Sequence, residues 1–140
     1  MEYVINKESL LQAVTKEISR FAAGAYGEDG TSLFDAYKVT SRDGETLQEY
    51  ISDGVSAICS RLFDVATKED DKVYFNVPDF DSSLSAVTQE ELDRFVKNNA
   101  CALWLADKNS EESQRFEKRA VAALDRAHVL LKSRKAPKRS

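Results

Sequence analysis

The sequence has very few of the side chains on which most metal and catalytic sites depend. His128 is the only histidine, and Cys59 and Cys101 are the only cysteines, in a chain of 140 residues. A zinc site needs several such ligands, and a nucleophile needs a base beside it. The chain has no H-E-x-x-H motif and no nucleophile elbow. We therefore expect a structural, partly buried His128, no cofactor and no enzymatic activity, with a site formed between subunits as the alternative.

Long apolar runs are also absent. The longest spans residues 100–106, whereas a membrane-spanning helix needs about 20 apolar residues. Residues 1–8 contain no basic segment followed by an apolar one, so we expect no secretory signal. The two cysteines fall within helical patterns, which predicts buried thiols in a reducing compartment. We expect no membrane partner.

Two stretches resemble ligand-binding loops but lack residues that such loops require. Residues 24–32 contain three glycines but no G-K-[ST], so we predict a solvated loop rather than a phosphate-binding loop. Residues 79–90 carry acidic residues at calcium-loop spacing, but Leu84 occupies the position that requires glycine. We interpret this second stretch as a polar connector.

Amphipathic periodicity is the strongest positive signal. Residues 88–134 predict two antiparallel helices joined by a turn at 107–110. Thr88 and Glu91 fit a capping box for the first helix, and Asn109 or Ser110 fits the cap of the second. The apolar stripe of the second helix is Phe116, Ala120, Ala123, Leu124, Ala127, Leu130 and Leu131.

The first half of the chain predicts two more helices. Asn6 caps a helix that runs to about Ala23, and a longer helix extends from about Glu45 to Thr67. Gly54 lies inside the longer helix, either at a close crossing with another helix or as a tolerated glycine. Residues 33–39 fit either a short helix or a short strand.

One stretch predicts a strand. It covers residues 73–77, with Val73, Phe75 and Val77 at alternate positions, and Pro78 ends it. Its partner is residues 3–5, residues 33–39 or a neighbouring subunit. The predicted fold is therefore mainly α, a small helical bundle built on the C-terminal helix pair with a minor β-strand or hairpin. We expect one helical domain over residues 1–131.

Positive charge is concentrated at the C-terminal end. Residues 132–140 contain five basic residues and no acidic ones, while residues 1–131 carry 15 basic and 24 acidic residues, a net charge of −9. An acidic body does not suit broad binding to nucleic acid. The basic tail either favours the helix dipole, with a disordered end, or docks on an acidic partner or DNA phosphate. The tail residues are Lys132, Arg134, Lys135, Lys138 and Arg139.

The order of these features resembles a known family. The segments that carry the resemblance are FVKNNACALWL at 95–105, FEKRAVAAL at 116–124 and LLKSRKAPKR at 130–139. Together with the preceding helices, the glycine loop and the short strand, they resemble the head–tail connector (neck adaptor) proteins of tailed phages, especially those of gut Bacteroides phages and prophages. The large size of the glycine loop and the strand also fit other neck or tail-completion proteins.

The resemblance implies a structural protein of the virion neck, made in the bacterial cytoplasm. Copies would form a homo-oligomeric ring, a dodecamer, below the portal protein, and DNA would pass through it without specific binding. The basic tail residues would contact a neighbour, the portal protein or the next neck or tail protein. Residues 73–77 would form an inter-subunit strand.

A helical regulatory module that binds a protein or DNA is the alternative function. Such a module needs a basic recognition helix. The helix at 110–134 carries Arg115, Lys118, Arg119 and Arg126, but four acidic residues in the same helix offset them.

Overall fold

The computed structural model describes residues 1–134 and shows a mainly helical fold with a small antiparallel sheet, which confirms the predicted fold class. Short 3-10 turns precede the third and fourth helices. In chain order the elements are β1 (Glu2–Val4), α1 (Lys7–Ala23), α2 (Phe34–Tyr37), α3 (Gly44–Arg61), β2 (Ala66–Glu69), β3 (Lys72–Phe75), α4 (Ser85–Leu105) and α5 (Ser110–Leu131).

Helices α4 and α5 form the predicted antiparallel pair. Near the turn, the Ser113 hydroxyl donates to the Ala102 carbonyl at 2.7 Å, and at the far end Arg126 contacts Glu91. Asn109 caps α5, since its side-chain oxygen accepts from the amide of Glu112 at 3.1 Å. The predicted stripe of α5 is buried apart from Leu130, which is half-buried.

The predicted capping box at Thr88 is wrong. Helix α4 begins at Ser85, and the Thr88 hydroxyl is buried and donates to the Leu84 carbonyl at 2.7 Å. The chain is already helical there because Asp81 caps the preceding 3-10 turn, accepting from the amide of Ser83 at 3.1 Å. Glu91 is therefore free of a capping role and forms ion pairs.

The predicted inter-subunit role of residues 73–77 is also wrong. Strand β3 is the centre of the sheet, in the order β1-β3-β2, so both of its edges are paired within the chain. Val73 and Phe75 are fully buried in the core, and Val77 lies beyond the strand, half-buried against that core. The alternative partner at residues 3–5 is confirmed, with the strand placed at Glu2–Val4.

The second neighbour of β3 was not predicted. Helix α3 ends at Arg61 instead of near Thr67, and residues 66–69 form β2. A tight turn with Asp70 at φ 41° brings Glu69 opposite Lys72. Pairing with β3 therefore overrides the helical periodicity at the end of the predicted helix.

The N-terminal helices complete the core. Asn6 caps α1 as predicted, accepting from the amide of Ser9 at 3.0 Å. Residues 34–37 adopt the helical alternative, and the indole of Trp104 donates to the Tyr37 carbonyl at 2.9 Å. This bond fixes α2 against α4.

Gly54 lies at a close crossing of α3 and α4. A Cβ atom added to Gly54 would lie 3.4 Å from both the Cα and the Cγ1 atoms of Val96. Of the two readings of this glycine, the close crossing is the observed one.

Candidate partner-binding surfaces

The outer face of the α4–α5 pair carries an apolar groove. It lies between the N-terminal half of α4 and the C-terminal half of α5, with a volume of about 460 Å³. Val129 is 68% exposed and Val87 is 39% exposed, and because both line the same groove they form an apolar patch rather than isolated exposed residues. The groove is lined by Val87, Glu91, Asp125, Arg126, Val129 and Leu130.

An ion-pair cluster fixes one wall of this groove. The Glu91 side chain is 7% exposed, and its two oxygens bind Arg94 at 2.6 Å and Arg126 at 2.9 Å. Arg126 belongs to α5, so the second contact joins the two helices. Charge-assisted hydrogen bonds of this kind hold side chains in a defined geometry. The groove therefore has one rigid polar wall and one exposed apolar wall.

A second exposed apolar feature follows α3. The Phe63 side chain is 81% exposed, the highest exposure among the large hydrophobic residues described in 1–134. Leu62 beside it is buried and anchors the segment, while Arg61 and Asp64 are exposed on either side. The phenyl ring therefore projects from a fixed backbone, flanked by one cation and one anion.

The two outer edges of the sheet differ in their availability. The edge of β1 is covered by the Gln89 side chain, which donates to the Val4 carbonyl at 2.8 Å and accepts from the Val4 amide at 3.1 Å. Within residues 1–134, no strand pairs with the outer edge of β2. The β2 edge, which follows Phe63 in the chain, is thus the more accessible of the two.

The predicted tail residues lie only partly within the described structure. Lys132 is exposed at the end of α5, and Arg134 is exposed and forms an isolated antiparallel bridge with Phe80. The carbonyl of Ser133 accepts from the amide of Asp81 at 3.2 Å. Residues 132–134 therefore contact the folded body.

The remaining predicted tail residues, Lys135, Lys138 and Arg139, lie outside the described residues. The structure does not bring the predicted strand residues to Lys132 or Arg134, because Val73 and Phe75 are buried in the core. The predicted partner-binding set is therefore not a single surface.

A buried polar link joins β1 to α4. The Tyr3 hydroxyl donates to the Asp93 carboxylate at 2.8 Å. Burial raises the pKa of Asp93, and its hydrogen bonds from Tyr3 and Gln89 partly oppose that shift. The pKa of the Tyr3 phenol is also raised, first by burial and then by the adjacent carboxylate. This link holds the sheet to the helices.

The cysteines and the histidine show no arrangement that indicates catalysis. Both thiols are free, and burial raises the pKa of Cys101 to about 12. Burial also raises the pKa of Cys59, while Lys68 opposes the shift. His128 is half-buried in α5. Residues 1–134 contain no group of three or more His, Cys, Asp or Glu side chains placed to hold a metal ion.

Sequence reasoning missed both exposed apolar features. Phe63 falls within the helix predicted to run to about Thr67, and that helix in fact ends before it, at Arg61. The signal for the groove was present but weak: Val129 lies outside the predicted stripe of α5, so an exposed aliphatic residue was to be expected there.

Comparison of the chain with protein-family models, with curated proteins and with solved structures finds no match. Among the described residues, none of the helices has the length and apolar character required to cross a bilayer.

Proposed function

We propose that the protein is a virion structural protein of the tailed-phage head–tail interface, which forms a ring below the portal protein. The observation that carries this proposal is the pair of exposed apolar features on separate elements, Phe63 after α3 and the groove between α4 and α5. A subunit that binds a neighbour on each side needs two different surfaces of this kind. The resemblance of the helix pair and the basic end to neck adaptor proteins supports the same assignment.

The charge distribution fits passage of DNA through such a ring. Residues 1–131 carry a net charge of −9. A lumen with an excess of carboxylates repels phosphate and does not retain the genome as it passes. The basic residues of 132–140 then serve a contact with the portal protein or with the next neck or tail protein. In this proposal the protein assembles in the bacterial cytoplasm and resides in the virion neck.

The structure gives less support to a regulatory module that reads DNA. In α5, Arg115 contacts Glu111 and Glu112, and Arg126 contacts Glu91. Arg119 lies over the Phe116 ring, 5.0 Å from its centroid. These intrachain contacts occupy much of the positive charge that a recognition helix would direct at phosphates or base edges.

The mass of the purified protein, measured alone and with the portal protein of the same phage, tests this function. We expect a particle of ring size with the portal protein, visible by electron microscopy as a closed ring coaxial with it. A stable dimer that does not bind the portal protein but binds duplex DNA in a salt-dependent manner would favour the regulatory module instead.

A further inference from the structure

Phe63 is an exposed aromatic side chain and the groove is an exposed apolar depression, so the two surfaces are suited to contact each other. Phe63 is not among the residues that line the groove of its own chain, and its ring is 81% exposed. We propose that Phe63 of one copy inserts into the α4–α5 groove of a second copy. The occupant of the groove is thus an aromatic side chain of this same protein.

The groove fits an aromatic side chain in size and chemistry. Its volume of about 460 Å³ lies within the usual range for small-ligand pockets and exceeds the size of a phenyl ring. Val87, Val129 and Leu130 offer aliphatic surface for the ring. Buried aromatic anchors in such pockets dominate the energetics of many protein interfaces.

The charges around the two features are complementary. Phe63 has exposed Arg61 and Asp64 close to it in the chain, and the groove is bordered by Asp125 and Arg126. With the ring seated, Arg61 of one copy can pair with Asp125 of the next, and Asp64 can approach Arg126, whose Nε atom already binds Glu91 of its own chain. Charged rims of this kind fix the orientation of partners more than they add affinity.

The contact is heterologous, because it joins two different surfaces. Each added copy leaves one Phe63 and one groove unoccupied, so association continues until a ring closes or a filament grows. Closure of the assembly into a ring rests on the proposed function. The contact between Phe63 and the groove is itself tested without a portal protein.

The test uses the variants Phe63→Asp and Val129→Asp of the full chain in sedimentation velocity from micromolar to millimolar concentration. Both side chains are exposed, so circular dichroism and thermal unfolding should remain as in the unaltered protein. We expect the unaltered protein to associate with increasing concentration, and each variant alone to lose at least about tenfold in association constant.

Mixing the two variants is the decisive measurement. Phe63→Asp retains an intact groove, and Val129→Asp retains an intact Phe63, so one contact of the two remains possible in the mixture. We expect a one-to-one dimer that does not grow further. The matched controls Tyr26→Asp and Val4→Asp alter other exposed side chains, 64% and 55% exposed, and should associate as the unaltered protein does.

Several results would overturn the contact: an unaltered protein that stays monomeric at millimolar concentration, single variants that associate normally, or a mixture that remains monomeric or grows beyond the dimer. Failure of the proposed function looks different. If Phe63→Asp still forms the ring on the portal protein, the contact is wrong and the function stands. If the dimer forms as expected but no ring appears on the portal protein, the contact stands and the function is wrong.

Discussion

At the scale of single residues, burial is the main cause of the shifted pKa of Asp93. Its carboxyl group lies between β1 and α4 and accepts from the Tyr3 hydroxyl at 2.8 Å. Burial raises its pKa above the usual value of 3.8, so the folded protein disfavours the ionised form relative to the unfolded chain. The stability that protonated Asp93 contributes is therefore fully present below pH 3.8, and it is lost as pH rises through the raised pKa.

Asp93→Asn should for that reason raise the free energy of unfolding at neutral pH relative to the unaltered protein, because the amide still accepts from Tyr3 without a charge. The difference between the two proteins should shrink as pH falls through the raised pKa of Asp93, and it should be smallest and constant below pH 3.8. Urea unfolding at a series of pH values measures it. Asp107→Asn, at a carboxylate whose side chain is 83% exposed, is the control and should follow the unaltered protein. A difference that stays constant with pH would contradict the argument.

Gly54 illustrates a residue whose role depends on one neighbouring backbone. An added methyl group would meet the Cα and Cγ1 atoms of Val96 at 3.4 Å, the short end of ordinary contact distance. Gly54→Ala should therefore be tolerated, since a gain of about 1 kcal/mol in helix propensity offsets the tight fit. Gly54→Leu should lose about 1–3 kcal/mol, because the larger side chain separates α3 from α4.

Chemical denaturation of the two Gly54 variants measures these changes. Gly44→Leu is the matched control, because Gly44 begins α3 and nothing lies within 4 Å of an added Cβ atom there. If Gly44→Leu and Gly54→Leu lose equal stability, the crossing of α3 and α4 is not the cause.

At the scale of elements, the sequence predicts helix caps and helix faces correctly where the stabilising contacts lie within a few residues of each other. The caps at Asn6 and Asn109 use an amide three residues away, and the apolar stripe of α5 has a helical period. The sheet was harder, because β1 and β3 are separated by most of the first half of the chain. The α4 boundary was misplaced because Asp81 offers an earlier cap than Thr88.

Helix α2 is held by a contact that no local pattern reveals. Trp104 is 5% exposed, and its indole N–H donates to the backbone carbonyl of Tyr37 at 2.9 Å. Trp104→Phe removes the donor and leaves a buried carbonyl without it, so we expect a loss of about 1–3 kcal/mol of stability. Urea unfolding followed by circular dichroism measures the loss.

Tyr37→Phe is the control for the Trp104 variant, because it keeps the backbone carbonyl and removes only a hydroxyl that accepts from Asn109 at 3.5 Å. It should cost much less than Trp104→Phe. Equal losses would show that the Tyr37 hydroxyl contributes as much as the indole hydrogen bond, so that the indole is not the main contact that holds α2 in place.

At the scale of the whole molecule, the sequence shows which residues are charged, but it does not show which residues of different elements lie together on one surface. The groove combines side chains from residues 87–91 of α4 with side chains from residues 125–130 of α5, which meet only because the helices are antiparallel. Phe63 became exposed only because β2 pairs with β3 and ends α3 early. Both features depend on tertiary pairing, so the periodicity of either helix alone does not predict them.

The basic end of the chain divides into two parts with different expected roles. The carbonyl of Ser133 accepts from the amide of Asp81, and Arg134 bridges Phe80, so residues 132–134 belong to the folded body. Removal of residues 132–140 deletes that hydrogen bond and should lower stability by about 0.5–1.5 kcal/mol. Removal of residues 135–140 leaves these contacts in place, so the stability that they contribute should be retained.

The shorter deletion isolates the contribution of positive charge to docking. It removes Lys135, Lys138 and Arg139, so under the proposed function binding to the portal protein should weaken and lose part of its salt dependence. Replacing these three residues with glutamine keeps the chain length and should give the same result, because the effect depends on charge. Binding measured at several salt concentrations decides the matter: unchanged affinity in both variants would show that the basic residues beyond Arg134 do not contact the partner.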